Sequence, residues 1–189
     1  MSWEGLNPPY ATIVADPPWP IKQPKGWHSS GNGSLPYSTL NLAEINDFPV
    51  SALAADYCHL YLWTVNKHIH DAYGVAASWG FTPSTMLVWC KPPRGVGPGR
   101  EFTITTEFVL LCKRGNGHAW GGSLPERKDS TWFQWPRGHH SVKPAAFYDL
   151  VEQVSPGPYV ELFARQQRLG WDSWGFGFEL DTLTHKDSI

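Results

Sequence analysis

The sequence predicts a single α/β domain built on a mainly parallel sheet, and three observations carry that reading. Short apolar runs alternate along the chain with amphipathic stretches, the order expected of strands joined by crossover helices. The 189 residues suit one hydrophobic core and leave little room for a second. Apolar residues make up 41% of the chain against 17% charged. That balance can bury a core, which excludes a disordered tail, a coiled coil and a collagen-like chain.

Taken in order, residues 12–15 form a first apolar strand. Residues 42–55 place apolar side chains at helical spacing and predict a helix, followed by a strand over 59–65 and a second helix over 67–79. Two further strands are expected at 86–90 and 108–112, a third helix at 145–154 and a last strand at 159–163. Pro144 stands at the start of the third helix, where its missing N–H costs nothing, and Ser155-Pro156-Gly157-Pro158 stops it. Three Gly/Pro-rich polar stretches, 20–36, 91–102 and 115–138, are too long to be simple connectors and hold four of the tryptophans. Loops of that length in a compact domain carry function or are disordered.

Composition narrows the function. The N-terminal segment lacks the basic and apolar runs of a signal peptide, and no stretch approaches the roughly 18 apolar residues of a membrane span, so a soluble, cytoplasmic protein is expected. Cys58, Cys90 and Cys112 are an odd number at wide spacing inside apolar segments, which suits reduced thiols rather than a disulfide framework or a zinc motif. Residues 91–143 carry nine Lys/Arg against four acids, whereas the whole chain has a net charge of −2. A basic middle on an acidic body is either a face that meets phosphates or a set of solvated loops.

Three constellations carry chemistry. Asp16-Pro17-Pro18-Trp19 follows directly on the first strand, at the strand end where ligands bind in parallel sheets. Two prolines remove two N–H donors and leave outward carbonyls. An amino group with two hydrogens could be gripped by the Asp16 carboxylate and the Pro17 carbonyl while the Trp19 indole stacks on its ring; the plainer reading is a turn beside a core Trp. Lys143 lies at the start of a helix, where an anion subsite or a solvated surface lysine would both fit. The adjacent His139 and His140 lack a further ligand at metal spacing, and no metal site is expected. Glu161 ends an apolar strand, as a contact to a ribose or amine or as the partner of Arg165. Neither a P-loop nor a GxGxxG motif is present.

Nine segments in order resemble the MT-A70 family of adenine-N6 methyltransferases. They are Asp16–Trp19, Leu35–Tyr37, Leu60–Trp63 with Asn66, Trp79–Phe81, Val88–Lys91, Gly97–Arg100, Glu107, Ser141–Pro144, and Glu161–Arg165 with Gly170-Trp171. The resemblance spans residues 12–175 of a single domain covering 1–189, with 176–189 as a tail. It implies a Rossmann-like class I methyltransferase fold with helices on both faces and a permuted motif order. It further implies an enzyme that moves a methyl group from S-adenosylmethionine to N6 of adenine in nucleic acid. DNA is favoured over RNA, since short members of this kind resemble bacterial and phage modification enzymes of the cytoplasm.

Residue by residue, the resemblance makes Asp16, Pro17, Pro18 and Trp19 the catalytic segment. Trp19, Tyr37, Arg94, Arg100 and Glu107 become substrate contacts, and Asp16, Lys143, Glu161, Arg165 and Gln167 donor contacts. A duplex adenine would have to be flipped out to reach such a site. The family commonly ends Gly-Trp-Asp-x-Trp-Gly-Asn-Glu, whereas here Trp174-Gly175 is followed by Phe176-Gly177-Phe178-Glu179. An Asn expected to help hold the donor nucleoside is therefore replaced, and the alternative is a catalytically silent nucleic-acid-binding or scaffolding subunit of the same fold. Only 15 residues precede Asp16. Target recognition is thus expected from internal loops, a homodimer or a partner subunit.

Overall fold

Strands β1 (Tyr10–Ala15) and β2 (Ala54–Thr64) lie side by side and in parallel at the centre of a seven-stranded sheet. The computed structural model describes residues 3–20, 39–93, 101–115, 128–136 and 143–175. The remaining strands are β3 (Thr82–Cys90), β4 (Thr106–Arg114), β5 (Trp132–Phe133), β6 (Tyr159–Leu162) and β7 (Trp171–Trp174), in the spatial order β5-β3-β4-β2-β1-β6-β7. All neighbours pair in parallel except β4, which runs antiparallel to both β2 and β3. No helix is described between β3 and β4, and an antiparallel pair needs no crossover to connect it.

Side-chain alternation along the two central strands sends apolar residues to both faces, as a sheet covered on both sides requires. Ile13, Ala15, Leu60 and Leu62 pack with Ile45 of α1 (Leu42–Asn46) and with Ala72, Val75 and Ala76 of α2 (Ile69–Ser78). Val14, Tyr61 and Trp63 pack with Phe147, Tyr148 and Val151 of α3 (Ala145–Val154). The expected helices on both faces are thus present. After β1 the chain builds outward through β2, then returns across the other face through α3 to place β6 on the opposite side of β1. The reversal beside β1 is a topological switch point, where ligands bind at the carboxyl ends of strands.

The helix expected over 42–55 is corrected. An Asn41–Glu44 capping box starts α1, with Asn41 Oδ1 accepting from the Glu44 N–H at 3.0 Å and Glu44 Oε2 from the Asn41 N–H at 2.7 Å. The helix stops at Asn46 because Pro49 has no N–H to continue it and disfavours helical backbone in the residue before. A 3-10 turn at Val50–Ala52 follows, and Ala54 and Ala55 already belong to β2. Ile45, Phe48, Val50 and Leu53 are nevertheless all buried, so the apolar spacing reported burial correctly and the element wrongly. The helix at 145–154 agrees residue for residue, while β5 and β7, of two and four residues, were not expected.

Gly175, directly after β7, packs against the backbone of Ala164, which donates its N–H to the Trp174 carbonyl at 3.0 Å. A Cβ on Gly175 would stand 2.1 Å from the Ala164 carbonyl oxygen. Gly175→Ala should therefore lower stability by about 1–3 kcal/mol, read as a Tm loss of roughly 2–4 °C per kcal/mol for a chain of this size. Gly74, inside α2 with nothing within 4 Å of such a Cβ, provides the contrast. Gly74→Ala should raise Tm, through about 0.5–1 kcal/mol of helix propensity. A Gly175→Ala protein as stable as the parent would refute the packing argument.

Candidate active site

The carboxyl ends of β1, β2, β3, β5, β6 and β7 and the start of β4 share one rim of the sheet. Asp16 leaves β1 there, and its Oδ2 lies 3.0 Å from Nζ of Lys143, just before α3. The same Nζ is 3.2 Å from Oε2 of Glu107, near the start of β4, and 4.2 Å above the Trp63 ring of β2. Lys91, just past β3, pairs with Oε1 of Glu107 and lies 4.4 Å over the Trp89 ring. Charges thus alternate along the rim as Asp16, Lys143, Glu107 and Lys91. Burial pushes the Glu107 carboxyl up, but Lys143 and Lys91 outweigh it and hold it below the ordinary range. For Lys143 burial acts downward, and Asp16 and Glu107 reverse it, so the ammonium is held charged.

A second group sits beside the first. Glu161 of β6 is 8% exposed and accepts a hydrogen bond of 2.7 Å from the Tyr148 hydroxyl of α3. Burial pushes the Glu161 carboxyl up to about 7; the Tyr148 bond and the Lys143 and Arg168 cations oppose this, and the Asp16 charge adds to it. Phe163, one residue past β6, holds φ at 61°, a strained left-handed conformation for an aromatic residue. A cleft of about 450 Å³ is lined by Lys143, Ala145, Tyr148, Glu161, Gln167 and Arg168, among others. A smaller recess of about 50 Å³ holds Asp16, Phe163 and Arg165, and shares Lys143, Tyr148 and Glu161 with the cleft. Asp16, Lys143, Glu161, Arg165 and Gln167 are therefore brought together, and Glu107 joins them through Lys143. Tyr37, Arg94 and Arg100 lie outside the described residues, as does Phe176.

Two expectations about the proline segment change. The Pro17 carbonyl accepts from the Trp19 N–H at 2.8 Å and the Pro18 carbonyl from the Leu40 N–H at 2.9 Å, so neither lacks a competing donor; each keeps a second lone pair. Trp19 is 4% exposed, donates from Nε1 to the Trp63 carbonyl at 2.9 Å and stacks on His68. Its ring anchors the segment in the core instead of offering an open stacking surface. Sequence reasoning also missed Tyr148. The signal was available: Phe147, Tyr148 and Val151 form the inward face of a well-marked helix, and a buried tyrosine hydroxyl needs a polar partner. Among the described residues no group of three or more His, Cys, Asp or Glu could hold a metal ion, and no helix is long and apolar enough to cross a membrane.

A mainly parallel sheet with helices on both faces and a polar cleft at its switch point is the architecture of a class I methyltransferase domain. The MT-A70 family model matches residues 10–177, and the chain belongs to that family. It is 34% identical over 183 residues to the Type II methyltransferase M.MunI of Mycoplasma sp, covering 88% of this chain and 76% of that protein. It is 29% identical over 187 residues to the N(6)-adenine-specific methyltransferase METTL4 of Homo sapiens, at 88% and 37% coverage. To the human N(6)-adenosine-methyltransferase catalytic subunit METTL3 it is 26% identical over 181 residues, at 92% and 29%.

The Glu161 environment makes a prediction. Its folded value of about 7 exceeds the ordinary 4.5, so between these the native state binds the extra proton. The resulting stability is fully present below pH 4.5 and lost as pH rises through about 7, on the order of 3 kcal/mol. Urea unfolding of the parent and Glu161→Gln at pH 4.5 and pH 8 should show the parent losing that much relative to the variant. His59, pushed down to about 4 by burial and Lys113, acts with the opposite sign as pH falls below 6.5, but equally in both proteins. A stability difference independent of pH would contradict the assignment.

Proposed function

We propose that this chain transfers the methyl group of S-adenosylmethionine to the N6 amine of adenine in DNA. The observation that carries the reading is the Asp16–Lys143 pair at 3.0 Å on the edge of the cleft, in a chain of the MT-A70 family. The donor's amino-acid end is zwitterionic, and the Asp16–Lys143 pair offers one charge of each sign to meet it. Lys143 would hold the carboxylate, Asp16 would reach the ammonium, and Glu161, Arg165 and Gln167 would line the space for the nucleoside. The cleft volume of about 450 Å³ suits a ligand of that size. S-adenosylmethionine supplies a sulfonium-activated methyl group. DNA is preferred to RNA because the chain covers 76% of the Mycoplasma Type II methyltransferase and only 29% of the human catalytic subunit METTL3.

The chain's own residues account for the acceleration. The adenine amine is a weak nucleophile because its lone pair is delocalised into the ring. Asp16 and the free lone pair of the Pro17 carbonyl accept from the two amine hydrogens, which favours a pyramidal nitrogen and steadies the positive charge it gains. Holding that nitrogen in line with the methyl group supplies the rest, with no covalent intermediate. Lys143 can trade Asp16 for the donor carboxylate without losing its compensation, since Glu107 stays at 3.2 Å. Tyr37 would receive the flipped base, and Arg94 and Arg100 would hold phosphates. The enzyme would work in the cytoplasm of a bacterial or phage-infected cell, with a homodimer or partner subunit assisting target recognition.

Purified protein given labelled donor should place label in N6-methyladenine of plasmid DNA, measured by nucleoside mass spectrometry. Label confined to RNA would overturn the choice of substrate, and DNA binding without transfer would favour a silent subunit. Asp16→Ala should lower kcat by about 100-fold or more, with a smaller loss of donor affinity. Lys143→Ala should instead raise KM for the donor and leave the saturated rate closer to the parent's. Normal donor binding in Lys143→Ala with full turnover in Asp16→Ala would remove both roles.

A further inference from the structure

We infer that His68 is a positioning residue for methyl transfer, acting through Trp19 and Pro20. The inference rests on the reading of Asp16–Trp19 as the catalytic segment. His68 ends a 3-10 turn (Asn66–His68) between β2 and α2, and is 4% exposed. Its ring makes three contacts. Nε2 lies 3.1 Å from the Pro20 carbonyl oxygen, Nδ1 lies 2.7 Å from Oδ2 of Asp71 in the first turn of α2, and the ring stacks on Trp19 at 5.5 Å and 14°. The Pro20 carbonyl only accepts, so the Nε2 that faces it is placed to donate, and Nδ1 is left to face the Asp71 carboxyl group.

Why such a clamp is needed follows from the segment itself. Pro17 and Pro18 have no N–H, so between Asp16 and Trp19 the backbone cannot be tethered through its own donors. Asp16 donates its N–H to the Leu162 carbonyl at 3.4 Å, a long bond. The segment must be held by its carbonyls and its flanks. Trp19 donates to the Trp63 carbonyl, which ties the ring to the end of β2, and His68 covers the ring face and binds the carbonyl of the next residue. The two prolines have fixed φ and carry that orientation back to the Pro17 carbonyl and the Asp16 carboxylate. Any buried histidine needs partners for its ring nitrogens, so what ties this one to the segment is the partner it has, the carbonyl of the residue directly after Trp19. Phenylalanine would fill the same space and keep the stack, so the polar contacts of the ring nitrogens are separable from packing by mutation.

The test compares His68→Phe, His68→Gln and Asp71→Asn in the full chain, with Tm, kcat, donor KM and donor Kd measured by calorimetry. His68→Phe should keep Tm within a few degrees and leave donor KM and Kd near the parent's, while lowering kcat by roughly 10- to 100-fold. His68→Gln, whose amide can still donate to the Pro20 carbonyl, should recover part of that loss. Asp71→Asn should lower kcat less and in the same direction. Parental kcat in His68→Phe overturns the inference, as does a loss of kcat that only follows Tm and donor affinity down together. If His68→Phe does not fold, Asp71→Asn decides, its side chain being partly exposed; unchanged kcat there overturns the inference too. Failure of the parent protein itself to transfer methyl to DNA or RNA would instead refute the catalytic reading of Asp16–Trp19, and this inference with it.

Discussion

Holding one ammonium between two carboxylates, on top of an indole ring, determines how three separate parts of this chain meet. Lys143 enters from the loop before α3, Asp16 leaves β1 and Glu107 opens β4, and none of them is near another in sequence. Strand β2 lies between β1 and β4, and its Trp63 is the floor over which Lys143 spans that gap. Desolvating a lysine costs several kcal/mol, and a pair of such charges stays favourable only with good geometry and full compensation. Here the compensation is double, and Lys91 repeats it for Glu107. Loss of Lys143 removes a cation from both carboxylates at once, so the elements that carry Asp16, Glu107 and Lys143 are bound to one arrangement.

The backbone around this chain of charges is built to present it. β1 is buried over Thr12–Ala15 and β2 over Cys58–Thr64, so the site forms on the residues that follow their carboxyl ends, Asp16 first among them. On one face α1 and α2 cover the sheet, and Trp79 at the end of α2 donates from Nε1 to the Ile45 carbonyl of α1 at 3.0 Å. On the other face Ser155, at the end of α3, binds both His59 and Tyr61 of β2 through its hydroxyl, at 2.7 Å each. The first layer is thus tied helix to helix, and the second is tied directly to β2.

The two carboxylates that face the cleft show how position divides labour between chemically similar groups. Asp16 meets the Lys143 ammonium directly, whereas Glu161 lies deeper, bonded to a neutral tyrosine hydroxyl, and burial favours its protonated form near neutral pH. A protonated Glu161 can both donate and accept, which suits hydroxyl groups such as those of a ribose. The Asp16 oxygen that meets the Lys143 ammonium is placed as an acceptor, which suits an amine gaining positive charge. Groups whose environments differ in this way mark functional sites more reliably than either residue type alone.

By itself the sequence determined the fold class, five of the seven strands and the third helix, and it singled out the Asp16–Trp19 segment proposed as catalytic. These are local properties: apolar periodicity, a proline that starts a helix, a Pro-Gly-Pro that ends one, and motif segments in a recognisable order. It also marked Ile45, Phe48, Val50 and Leu53 as inward-facing, but not that Pro49 breaks the helix they suggested. What only the tertiary structure decided was pairing. That β4 runs antiparallel, that two-residue β5 is a strand at all, that Lys143 binds Asp16 and Glu107 together, that Tyr148 meets Glu161 and that His68 clamps Trp19 and Pro20 all depend on contacts between residues far apart in the chain. The physical reason is that hydrogen bonds and ion pairs are read in space. A sequence carries the periodicity that buries a side chain, but the partner it meets there is set by the order in which the strands are laid into the sheet.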